Sequence, residues 1–289
     1  MQVKIMENSN PLKSYFRQPH IFLKLPTGNR WYTEQDVDTS ISELPIYAMR
    51  AIDDIMLNTP DAMLNGHALW GVISSCVPSI KNVKNIKLPD LDAIYVAIKA
   101  STHNGVVELK RTCASCNEEN LLELNCQHLL DTMTVVEESD CNVELDGQLL
   151  IQIQPYNLEM KQMFMHHQFE EEKTIKILNM SNPNQDEFAQ AAMIAESVER
   201  LSQLTFELVS KSITGIKIIE SDVLVDDPKW INEWLQSISK EQADQVITAV
   251  NTLNQIGINK NITISCSNCA AQWQETLDFE PTSFFDKRS

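Results

Sequence analysis

The sequence predicts an α+β fold built from two β-hairpins, an N-terminal helical unit and a large, mainly helical insertion between the hairpins. Three observations predict it. Residues 106–125 and 258–280 each alternate apolar and polar side chains around a Cys-x-x-Cys turn. Residues 46–105 and much of 126–257 instead repeat apolar side chains at intervals of three and four. With 289 residues, 43% of them hydrophobic, the chain is long enough for about two domains.

Residues 1–45 read as an extended N-terminal arm. Its segment LKLPTGNRWY, Leu23 to Tyr32, holds a Pro-Thr-Gly turn signal and two aromatic rings. Leu25, Pro26, Trp31 and Tyr32 are expected to be displayed there as a contact surface. Residues 46–105 form the helical unit. Thr59, Pro60 and Asp61 mark a helix start, and Leu69, Val72, Ile73, Cys76 and Val77 follow at helical spacing until Pro78. A second helix begins near Asp90, with Leu91, Ile94, Tyr95 and Ile98 on one face, and ends near His103-Asn104-Gly105.

The period then changes. Val107, Leu109 and Arg111 alternate with Glu108 and Lys110, and Cys113-Ala114-Ser115-Cys116 precedes a second strand. The same grammar returns at Ile262 and Ile264, followed by Cys266-Ser267-Asn268-Cys269 and a strand with Trp273. Two residues between cysteines let both sulfurs converge from one turn on a single ion. Two such turns build a closed tetrahedral four-sulfur shell with Zn–S of about 2.3 Å. Residues 106–125 and 258–280 thus read as the halves of a split four-cysteine zinc-ribbon-like unit. Cys113, Cys116, Cys266 and Cys269 are the expected ligands of a structural zinc, with iron the competing ion. Residues 117–265 separate the pairs, so tertiary structure must bring them together. A local set of Cys113, Cys116, Cys126 and His128 is the alternative, and would leave the second pair without a purpose. Cys76 and Cys141 read as ordinary thiols. Adjacent His166 and His167 project about 100° apart on a helix and do not readily share an ion.

The insertion, 126–257, opens with a hairpin turning at Asp146-Gly147. Asn157 can cap a helix reaching about Asn179, which SNPNQ breaks; a long stripe from Phe188 to Leu208 follows. Asp227-Pro228 starts a helix bearing Trp230 and Trp234. Ser239 to Gln242 spell a capping box, and Gly257 can close the helix after it.

Composition excludes several functions. Lys plus Arg number 23 and Asp plus Glu 40, for a formal net charge of −17. Such a surface repels phosphate backbones and anionic membranes. That opposes the competing role of a zinc-ribbon nucleic-acid-binding or regulatory protein. No run of eighteen apolar residues and no export signal is present, so the seven cysteines are expected in a reducing compartment. Phosphate loops, nucleophile elbows and HExxH are all missing, and a closed thiolate shell offers no open position for hydrolysis. No enzyme, no catalytic residue and no small-molecule substrate is expected.

Four stretches then carry a resemblance: LPTGNRWY; LPIYAMRAIDDIMLNTPDAMLNGHALWGVISSCVPSIKN; LPDLDAIYVAIKASTHNG; and CASCNEEN. In this order, over about residues 23–125, the chain resembles the baseplate hub assembly protein family of T-even-type bacteriophages. The resemblance implies a hub subunit or a chaperone of hub assembly, with other baseplate hub proteins as partners. It further implies residence in the host cytoplasm during assembly, or in the virion tail baseplate. It implies no catalytic residues.

Overall fold

The computed structural model describes residues 11–57, 59, 67–102, 105–180, 187–277, 279 and 284. Pro60, Asp61, His103, Asn104 and the SNPNQ break lie outside them. The fold is α+β. Strand β1 (Pro19–Leu23) pairs antiparallel with β2 (Leu44–Tyr47), and helices α1 (Ala51–Leu57), α2 (His67–Cys76) and α3 (Leu88–Thr102) follow. Hairpin β3 (Val106–Thr112) and β4 (Glu119–Asn125) leads into the short α4 (Cys126–Asp131). Strands β5 (Asn142–Leu145) and β6 (Leu149–Ile153) precede two long helices, α5 (Leu158–Met180) and α6 (Glu187–Ser212). After them come β7 (Ile213–Ile218) and β8 (Val223–Val225), which complete an antiparallel sheet of order β5-β6-β7-β8. Helices α7 (Pro228–Ser237) and α8 (Lys240–Leu253) lead to the hairpin of β9 (Asn261–Ser265) and β10 (Gln272–Thr276).

Local chemistry sets many of these boundaries. Asp146 and Gly147 both take positive φ, 53° and 65°, as a type I′ turn requires. The Asn157 side chain accepts from Met160 N at 2.9 Å at the start of α5. Asp227 caps α7 through Lys229 N at 2.8 Å, with Pro228 in the first turn. Ser239 and Gln242 close the reciprocal capping box of α8.

The buried apolar side chains form two clusters. The first surrounds α3, which is buried on nearly every side rather than along one face. It gathers Val72, Ile73 and Cys76 of α2, Val107 of β3, Leu129 and Leu130 of α4, and Ile258, Leu277, Phe279 and Phe284 from far downstream. The second lies between the four-stranded sheet and helices α6 to α8. Ile151 and Ile153 pack there with Val209, Ile231, Leu235, Val246, Val250 and Leu253.

One expectation is corrected. Leu25 and Tyr32 are buried in the first cluster, Pro26 is buried with them, and Trp31 packs against the second cluster. They are not displayed. The cause is a buried carboxylate. Asp90 accepts from Thr27 N at 2.9 Å, Thr27 Oγ1 at 2.6 Å and Tyr32 Oη at 2.6 Å, and Tyr32 Oη accepts from Lys87 N at 2.8 Å. An unpaired carboxylate inside a core is costly, so the segment that supplies its donors is drawn in. The LPTGNRWY and LPDLDAIY stretches are thus two sides of one joint. Gly257 closes it from below: its φ is 109°, and a Cβ there would stand 3.1 Å from Pro89 O.

Candidate metal centre

The two Cys-x-x-Cys turns have the same backbone geometry. In the first, Cys113 N donates to Glu118 O at 2.9 Å and Asn117 N to Cys113 O at 2.8 Å; Asn117 has φ 57°. In the second, Cys266 N donates to Ala271 O at 2.9 Å and Ala270 N to Cys266 O at 3.0 Å; Ala270 also has φ 57°. Each turn folds back through a left-handed residue four places after its first cysteine, which aims both sulfurs outward from one knuckle.

The structure brings the four sequence-expected cysteines together. Their Sγ atoms all lie within 4.8 Å of one another. Across the hairpins, Cys113 Sγ stands 3.7 Å from Cys269 Sγ, and Cys116 Sγ 3.6 Å from Cys266 Sγ. A tetrahedron with Zn–S of about 2.3 Å has edges of about 3.8 Å, so the spacing fits one ion within metal-binding distance of all four sulfurs. Cys113 and Cys266 are buried, Cys116 is half-buried and Cys269 is exposed.

The electrostatics favour thiolates at the buried corners. Amides of Ser115 and then Cys116 hold the Cys113 thiol below its ordinary range. Those of Cys269 and Asn268 pull Cys266 down to about 6. Cys269 goes the other way, to about 12: the Ala271 amide lowers it, but crowding by the Cys116, Cys266 and Cys113 sulfurs outweighs that. Four thiols this close resist ionising together unless a cation sits among them.

The local alternative is not assembled. Among the described residues, neither Cys126 nor His128 joins the cluster. Cys126 is buried in the first core, which pushes its thiol up to about 11, and His128 is exposed. Cys76 is likewise core, raised to about 11 by burial. Cys141 is half-buried and donates to Glu137 O at 3.2 Å. His166 and His167 are exposed on α5.

Two contacts that join the hairpins were not expected from sequence. Arg111 of β3 pairs with Glu275 of β10. Asn120 of β4 is buried and accepts from Ser267 N at 2.8 Å, inside the second knuckle. A signal for it exists: Asn120 shares its strand face with Leu122 and Leu124, a polar residue in an inward-facing stripe.

Fold and site together define a mixed α+β protein whose halves meet at a four-cysteine cluster able to hold a metal. A family model described as T4 bacteriophage base plate protein matches residues 42–286. The chain belongs to that family. No curated protein and no solved structure matches it. Family membership makes it a phage baseplate protein with a structural role and other baseplate proteins as partners.

Proposed function

We propose that the protein is a subunit, or an assembly chaperone, of the baseplate hub, acting through protein–protein contacts and without catalysis. The base plate family match across residues 42–286 carries this reading. The likeness of residues 23–125 to hub assembly proteins supports the narrower role. Cys113, Cys116, Cys266 and Cys269 would hold a structural zinc, with every coordination position filled by protein sulfur. That ion would supply cross-linking, not chemistry. Assembly in the host cytoplasm and residence in the tail baseplate both suit this role.

Partner contacts pass to the aromatic side chains that stay outside the core. Tyr15 is 84% exposed, Phe16 55% and Phe22 60%. Exposed Lys13, His20 and Lys24 lie among them in the sequence, a basic stretch in a chain of net charge −17. A surface of this kind suits an acidic protein neighbour. The test is complementation of a phage lacking this gene, scored as complete tails in electron micrographs. Wild-type protein should restore tails, and Tyr15→Ser/Phe22→Ser should not, although it remains soluble and folded. Complete tails without any complementing gene would refute the assembly role.

A further inference from the structure

The Asn120 side chain makes four polar contacts at once. Its Oδ1 accepts from Ser267 N at 2.8 Å and from Ser267 Oγ at 3.1 Å. Its Nδ2 donates to Glu118 O at 3.1 Å and points at Cys266 Sγ at 3.7 Å. An amide has two donor hydrogens and two acceptor lone pairs, so its capacity is filled. Rotating it by half a turn would set its NH2 against the Ser267 N–H, which fixes the orientation. Glu118 belongs to the first knuckle and Ser267 to the second. One buried side chain therefore ties both turns together and reaches a sulfur.

We propose that Asn120 is a positioning residue of the metal centre. This rests on the reading that the four cysteines hold a metal. By binding Ser267 it sets the second knuckle at the separation the ion requires. By donating N–H to Cys266 it draws charge from a sulfur that would share one divalent ion with three other thiolates. Partners of metal ligands of this kind change metal affinity by about 10–100-fold when removed. Cys266 already receives the Asn268 and Cys269 amides, so Asn120 adds a donor from the opposite hairpin.

Asn120→Asp tests the donor, because a carboxylate keeps an acceptor for Ser267 and places an oxygen against the sulfur. Asn120→Ala removes both links. Full-length protein is loaded with zinc, or with cobalt as a spectroscopic stand-in. Transfer of zinc to a competing chelator should be at least about tenfold faster in both variants. The sulfur-to-cobalt charge-transfer band should shift in Asn120→Asp, a change that loosened packing alone would not produce. Wild-type protein loaded with cadmium-113 should show scalar coupling between an Asn120 amide proton and the metal. That measurement stands even where a variant fails to fold. Wild-type transfer rates and an unshifted band in both variants, or no coupling in the wild type, would overturn the proposal. Wild type that takes up no metal would instead remove the zinc reading, and this inference with it.

Discussion

Replacing Asp90 with Asn should change the pH dependence of stability in a defined direction. Burial raises the Asp90 carboxyl from 3.8 to about 6, against the opposing pull of its Thr27 and Tyr32 hydrogen bonds and of Lys87. Lys87 is itself lowered by burial to about 8 and donates to Gln154 Oε1 at 2.9 Å. An acid whose folded value lies above its unfolded one holds its proton more tightly in the folded chain. Its stabilising contribution is complete below the unfolded value of 3.8 and is lost as pH rises through about 6. The gap corresponds to about 3 kcal/mol, of which about 1.4 kcal/mol falls between pH 5 and pH 8. Asn does not titrate, and it offers one acceptor oxygen where the two oxygens of the carboxyl group share three hydrogen bonds. The variant should be less stable by about 1–3 kcal/mol at pH 5. That deficit should shrink by about 1.4 kcal/mol at pH 8, because only the wild type loses stability through this group. Urea unfolding of both proteins at four pH values from 5 to 8 measures the difference. A deficit that stays constant would show Asp90 already ionised at pH 5. One that grows with pH would reverse the sign of the reasoning.

Purified protein should hold about one zinc per chain, and Cys266→Ser should hold none by elemental analysis; full occupancy in that variant would dissolve the shared site. Losing a cross-link across a loop of this length removes about 5 kcal/mol of chain-entropy stabilisation, so chelation should lower the melting temperature as well. Ala270→Gly relieves a left-handed residue that costs about 1–2 kcal/mol, against about 0.5–1 kcal/mol of added chain freedom. It should stabilise by up to about 1 kcal/mol in a thermal melt, while Ala114→Gly in the other knuckle should give no such gain. Deleting residues 1–24 removes buried Leu23 and the Arg17 bonds to Ala48 O and Ser75 O. The truncation should lose several kcal/mol or become insoluble; an unchanged melt would mean that β1 is not part of the core.

The knuckles were readable because their spacing is a local property of the chain. Cys113 and Cys116, like Cys266 and Cys269, announce a turn able to bind metal, and alternation at Val107, Leu109 and Arg111 announces the strand before it. Caps were readable for the same reason: Asp227-Pro228 and Ser239 to Gln242 act within one helical turn. The placement of Leu25 and Tyr32 was not, because an irregular segment has no period and its partner Asp90 lies far along the chain. Helix α3 showed one apolar face to periodicity, yet Asp90 and Lys99 are buried on it. Lys99 is tolerated because its Nζ donates to Phe284 O at 2.8 Å, a contact no local pattern contains. Asn120 gives only a faint local signal, a polar residue at the head of the inward-facing Leu122 and Leu124 stripe, because the Ser267 it binds lies far along the chain.

The distance between the two knuckles has a consequence in time. A ribosome emits about 5–20 residues per second, so the second pair of cysteines follows the first by roughly 8–30 s. Through that interval Cys113 and Cys116 can offer an ion only half of its shell. The core around α3 waits as well, since Ile258 arrives just ahead of the second hairpin and Leu277, Phe279 and Phe284 arrive after it. The sheet and helices between Val136 and Leu253 are under no such delay, because nearly all of their buried partners are already in hand. The part of the chain made in the middle is therefore free to fold before the part made first. Capture of the proposed ion would mark the moment when an elongating chain becomes a finished subunit.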